Sequence, residues 1–219
     1  MAVSKVASLN MECEFCGEVY TKISMKKHLE KCSSRLLKFK GEPEAYFWIQ
    51  VQGKYEKDYV MYLEMKSTSK LEDLDQFLRN IWLECCGHLS MFTIDRISYS
   101  SYPDRSEGDK SMNYLVENIF YDGLIFDHEY DFGSTTDLKI KVIATKFSGK
   151  RKSNVTLLAR NIAPSFICSV CGKPATQICC CCFTDAFLCD DCCKTHECGE
   201  EMMLPVVNSP RMGVCGYCG

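Results

Sequence analysis

The sequence predicts an α+β centre flanked by small zinc-stabilised modules, and three observations carry that expectation. Cysteines crowd residues 13 to 32 and 168 to 218, while the stretch between holds only Cys85 and Cys86. That middle stretch alternates aromatic and β-branched runs with one amphipathic helical run. Both cysteine-rich ends place Cys and His at metal-ligand spacings.

In the centre, AYFWIQVQG and DYVMYLEMK are separated by a polar turn from Gly53 to Lys57, which reads as an antiparallel hairpin. A helix follows. Ser69 and Glu72 form a capping box, and Leu71, Leu74, Phe77, Leu78, Ile81 and Trp82 recur at helical spacing as the face that covers the sheet. Leu89 to Ser100 reads as one further strand and Met112 to Asn118 as a short helix. LIFDHEYDF and LKIKVIATKF make a second hairpin turning at Gly133 to Thr136. The polar break from Ser148 to Ser153 precedes a short helix-like stretch, Leu157 to Ile162, that ends at Pro164.

The hairpin over 45–67, the helix entry Leu71, Leu74, Phe77 with its end at Trp82, and Tyr130, Asp131, Phe132, Gly133 together resemble the plasmid pRi Orf-three-like family, also called transposon-passenger TnpR-like proteins. The resemblance spans 38–150 and implies a β-grasp-like α+β domain. After the glycine, this chain departs from the family pattern with Ser134, Thr135 and Thr136. There is no serine-recombinase pattern to accompany the TnpR label.

At the amino-terminal end, over 11–36, Cys13, Cys16, His28 and Cys32 follow C-x2-C-x11-H-x3-C. A short strand turn followed by a helix brings such a His and Cys one turn apart onto one ion. Tyr20 and Met25 stand where a ββα finger needs its small core, and about thirty residues bury too little surface to fold without metal. The segment resembles a C2H2-like finger in its CCHC variant. Its helix carries Lys22, Lys26, Lys27 and Lys31, with Arg35, Lys38 and Lys40 beyond, the one local patch suited to nucleic-acid phosphates. A solvated lysine face is the simpler reading, since a single finger reads only about three base pairs.

Over 165–219 the spacing is C-x2-C-x7-C-x2-C-x6-C-x2-C-x3-H-x-C, through Cys168, Cys171, Cys179, Cys182, Cys189, Cys192, His196 and Cys198. Alternate pairs suggest a cross-brace, with Cys168, Cys171, Cys189 and Cys192 on one ion and Cys179, Cys182, His196 and Cys198 on another. Cys180, Cys181 and Cys193 are alternative ligands. Cys215 and Cys218 form a further CxxC that either displaces His196 and Cys198 or serves thiol-redox chemistry. The spacing resembles MYND and HIT-type fingers, which implies protein binding.

The totals agree with this picture. Seventeen cysteines, an odd number, cannot all pair within one chain. The start shows no secretory signal and no run is suited to crossing a bilayer, so a reducing, cytoplasmic location is expected, where CxxC pairs clamp metal. A net charge of −3 makes any nucleic-acid surface local rather than global. Asp127, Glu129 and Asp131 alternate on one strand face and could hold a catalytic divalent ion, although an amphipathic strand with its acidic side in water explains the same pattern. Cys85, Cys86 and His88 follow the main helix and have the make-up of a ligand set or of a nucleophile with its base, although with the stop signal Gly87 the simpler reading is that they cap the helix and pack. No phosphate loop, GxSxG elbow or HExxH helix occurs. The expectation is therefore a non-enzymatic adaptor with about three zinc ions, recognising a protein partner and, through the finger, nucleic acid. A metal-dependent enzyme acting on nucleic acid and a thiol-redox protein are the competing classes.

Overall fold

The computed structural model describes residues 9–38, 41–182 and 186–219, and its mixture of helices with a large sheet is α+β. The amino-terminal segment folds as two short strands, β1 (Asn10–Cys13) and β2 (Val19–Thr21), then helix α1 (Lys22–Lys31) and helix α2 (Ser33–Lys38). Thr21 caps α1, its hydroxyl accepting from the Ser24 amide at 3.4 Å, and His28 and Lys31 sit favourably in the last turn.

The expected first hairpin is β3 (Pro43–Gly53) and β4 (Val60–Lys66). Gly53 is obligatory in its turn, because a Cβ there would meet the Glu56 carbonyl oxygen at 2.5 Å. Helix α3 (Leu71–Leu78) continues into one π turn, Arg79–Leu83, which buries Trp82 completely. Its cap lies one residue later than the expected Ser69–Glu72 box. The Lys70 amide donates to Asp73 Oδ2 at 2.8 Å, while the Ser69 carbonyl accepts the Val116 amide and its hydroxyl donates to the Asn154 carbonyl.

Two further expectations are corrected. The single strand over 89–100 is a tight hairpin, β5 (Ser90–Ile94) and β6 (Ile97–Ser100), turning through Asp95 and Arg96 at φ of +48° and +67°. The helix-like run at 157–162 belongs to a strand, described below. A two-residue strand β7 (Lys110–Ser111) lies parallel to β6, and the short helix over 112–118 contracts to a 3-10 turn, Val116–Asn118. The second hairpin forms as expected from β8 (Ile125–Tyr130) and β9 (Thr136–Gly149).

Strand β10 (Val155–Asn161) is the segment read as helix-like. It inserts between β1 and β4; Leu157 and Leu158 face opposite sides by ordinary strand alternation, and at the bulge between Leu157 and Ala159 that alternation breaks, so Leu158 and Ala159 share the finger-side core. Leu157 packs with the α3-side core and Leu158 with the finger-side core, so adjacent leucines mimic helical spacing. The described residues thus build a ten-stranded sheet in the order β2-β1-β10-β4-β3-β9-β8-β5-β6-β7. The finger extends this sheet rather than hanging from it. On one face, Phe47, Ile49, Met61 and Leu63 pack with Leu71, Leu74, Leu78 and Trp82. On the other, Trp48, Tyr62 and Leu158 pack with Met11, Met25 and Leu29 of the finger. Both faces being covered explains why Val60 to Met65 are buried without alternation.

The carboxy-terminal module has a separate three-stranded sheet of β11 (Gln177–Cys179), β12 (Phe187–Leu188) and β13 (Met203–Pro205), with a single-turn helix α4 (Asp190–Cys193). Beyond β13 the tail returns to the large sheet. Ser209 donates to the Trp82 carbonyl at 2.6 Å, and Asn208 exchanges hydrogen bonds with Asn161. Among the described residues, no helix is long and apolar enough to cross a membrane.

Candidate metal centres

The finger ligands come from two local devices. After β1 the chain makes a C-x2-C-G turn in which the Gly17 amide donates to the Cys13 carbonyl at 2.9 Å with Gly17 at φ +72°, and this aims both sulfurs one way. Helix α1 then presents His28, and its end presents Cys32. Cys16 Sγ lies 3.3 Å from His28 Nε2 and Cys13 Sγ 3.9 Å from Cys32 Sγ. Zinc bonds of about 2.3 Å to sulfur and about 2.0 Å to nitrogen give tetrahedral edges of about 3.8 Å and about 3.5 Å, so the observed separations fit such an ion. Tyr20 stacks on the His28 ring at 4.4 Å and fixes its plane. Burial, with the neighbouring sulfurs of Cys16 and Cys32, pushes the Cys13 thiol up to about 11. A bound dication would reverse that by favouring thiolate.

The carboxy-terminal ligands interleave. Cys168, Cys171, Cys189 and Cys192 form one group, and Cys179, Cys182, His196 and Cys198 form another, each with its ligand atoms within 4.8 Å of one another. Cys171 and Cys189 are 3.6 Å apart, Cys182 and Cys198 3.7 Å, and Cys182 to His196 Nε2 is 3.4 Å. A second C-x2-C-G turn recurs here, with Gly172 at φ +74° and its amide on the Cys168 carbonyl at 3.0 Å. Burial would raise the Cys168 thiol, but amides of Cys171, Cys189 and Val170 aimed at it win and lower it to about 6. Cys192, hydrogen-bonded to the sulfurs of Cys189 and Cys171, is pushed up to about 12. One thiolate is welcomed and the next is resisted, a conflict that a divalent cation relieves. Of the alternative ligands, Cys193 is buried in the module's small core, and Cys180 and Cys181 are exposed outside both groups.

Cys215 does not join the second group. The tail's return carries it to Cys85, Cys86 and His88, and these four form a further group with ligand atoms within 4.8 Å. Cys85 packs against the α3-side core and His88 edge-on against Tyr130, as a packing role expects, while Cys86 is exposed, and with Cys215 the three form a cluster. Cys218 lies outside it, its sulfur 3.3 Å from the Gly216 carbonyl. The sequence signal was present as C-C-G-H after a helix and CxxC at the tail, but the two halves stand 127 residues apart.

The three carboxylates do not converge. Asp127 pairs with Lys54 at 3.0 Å, and Lys54 also reaches Asp137. Asp131 leaves the strand at φ +65° and is held by the fully buried Arg211 at 2.7 Å, so it does not share a face with Asp127 and Glu129. The basic patch is smaller than its sequence. Lys22 is partly buried and bonded to Gln52 at 2.8 Å, and Arg35 is buried against Glu64. Lys26, Lys27, Lys31 and Lys38 remain exposed; Lys40 lies outside the described residues.

No family model matches this chain, and no curated protein does. Among solved structures it is similar to MM3350, a protein of unknown function from Methanosarcina mazei Go1, at 12% identity, over 56% of this chain and 70% of that one, with a TM-score of 0.39.

Proposed function

We propose that this chain is a zinc-binding, non-enzymatic adaptor in which metal folds both ends and the α+β centre offers the largest recognition surface. The carrying observation is that each group read from the sequence gathers four protein ligand atoms within 4.8 Å of one another, with pairs at 3.3 to 3.9 Å that match tetrahedral edges. Four protein ligands close the coordination sphere, which is the signature of a structural ion rather than a catalytic one with an open position. Zinc suits the sulfur and imidazole donors, and a reducing, cytoplasmic setting suits seventeen free thiols. The centre is proposed as the β-grasp-like, Orf-three-like domain on the strength of its two hairpins, its single long helix and the Tyr130 to Gly133 turn.

A protein is the favoured partner. Exposed Leu89, Tyr102 and Phe132 line an open depression of about 620 Å³ beside Asp104 and Arg105, combining apolar anchors with a polar rim. Nucleic-acid contact through Lys26, Lys27 and Lys31 is the second reading, supported by their exposure on α1. The test is to purify the chain under reducing conditions, measure zinc by elemental analysis and identify what co-purifies. The finger and the two carboxy-terminal groups account for about three ions, and one or none would sink the reading. Loss of bound nucleic acid on Lys26→Glu with Lys27→Glu would assign it to the finger; no change would leave protein binding.

A further inference from the structure

The cluster joining the end of α3 to the chain's tail has features that packing does not require. We propose that Cys85, Cys86, His88 and Cys215 form a fourth zinc site, a clasp that fastens the tail to the large sheet; this rests on the zinc reading above.

Four observations carry it. His88 Nε2 lies 3.2 Å from Cys215 Sγ, close to the sulfur–nitrogen edge of about 3.5 Å expected around zinc. The other ring nitrogen, Nδ1, faces Asp131 Oδ1 at 3.6 Å, and the ring packs edge-on against Tyr130. A carboxylate behind a histidine orients the ring and keeps Nε2 free as a metal donor. Next, Arg211 joins that support to the ligands: its Nη2 donates to Asp131 Oδ2 at 2.7 Å and contacts Cys85 Sγ at 3.4 Å. That buried guanidinium anchors the tail a few residues before Cys215.

The tail backbone supplies the fourth. Cys215 sits at φ +51°, between Gly213 at +79° and Gly216 at +71°. A non-glycine residue in that region is held against its preference, and a metal bond is a constraint able to hold it. The donor set, three cysteines and one histidine, selects zinc over the harder cations. The ligands come from segments separated by more than a hundred residues, so the ion closes a long loop, where a clip constrains the unfolded chain most. Because Cys86 and Cys215 are exposed, this ion faces solvent and exchanges more readily than those of the other groups. The clasp makes docking of the tail, and of the module it continues from, dependent on metal.

The full-length protein is tested by zinc stoichiometry and by limited proteolysis of the tail. The wild type is expected to hold four ions. Cys86→Ser and Cys215→Ser, both at exposed thiols where serine costs little packing, are expected to hold three and to become cleavable beyond residue 206. His88→Ala should behave alike, whereas Cys218→Ser keeps four ions and a protected tail. Three ions in the wild type, unchanged in Cys86→Ser and Cys215→Ser, would overturn the clasp and leave the zinc reading standing. One or none would overturn both, and loss of an ion in Cys218→Ser would overturn the ligand set.

Discussion

Two buried carboxylates show how single residues organise this molecule. Glu64 is fully enclosed in β4, yet Arg35, Arg151 and the Trp48 indole all donate to it, so one acid ties the finger's second helix and the connection between β9 and β10 to the central hairpin. That is why Arg35 is unavailable to a phosphate. Asp75 plays the same part beneath α3, accepting from His128 at 2.8 Å and Arg79 at 2.7 Å. Burial alone would raise the Asp75 carboxyl, but the hydrogen bonds and charges of His128 and Arg79 outweigh it and hold it below its ordinary 3.8. A carboxyl depressed in the folded state adds stability that is fully present above its unfolded value and is lost as pH falls through the folded one. Urea unfolding measured across the acid range should therefore show stability declining below about pH 4. Asp75→Asn should flatten that decline while lowering stability at neutral pH; an unchanged acid limb would show that other groups govern it.

Among the elements, the β5–β6 turn is the one whose sequence argues against its structure. Asp95 and Arg96 both adopt the positive φ that a two-residue hairpin turn demands without a glycine, and exposed Arg96 at +67° is the position where glycine is usual. Arg96→Gly should relieve the strain and stabilise the protein by about 1 kcal/mol in denaturant unfolding, and a loss would show that the side chain matters. This turn also explains the limits of reading the chain from its residues. The two long hairpins and α3 were legible because alternation and helical spacing persisted over many residues. The β5–β6 hairpin was hidden by its missing glycine, and β10 by burial on both faces and a bulge, which let Leu157, Leu158 and Ala159 follow one another without polar alternation. The same logic divides the metal groups. Twelve candidate ligands are local, within short runs whose spacing is itself the signal, whereas Cys85, Cys86, His88 and Cys215 meet only after the tail folds back.

At the scale of the whole molecule, the two ends are attached in different ways, and their responses to metal loss should differ accordingly. The finger shares a ladder with the centre, since β1 pairs with β10 and β10 with β4, and Met25 and Leu29 complete the core over Trp48 and Tyr62. The carboxy-terminal sheet of β11, β12 and β13 shares no ladder with the large sheet among the described residues. Cys16→Ser and Cys171→Ser each remove one exposed ligand, so neither opens a cavity by itself. Amide hydrogen exchange distinguishes their effects. Loss of the finger ion should free Met25 and Leu29, loosen β1, and speed exchange in β10 and β4 by about tenfold or more. Loss of the Cys171 ion should speed exchange in β11 to β13 and leave β10 and β4 protected. Equal protection of β10 in the two variants would mean that the sheet holds without the finger's metal, and that the finger is an appendage after all.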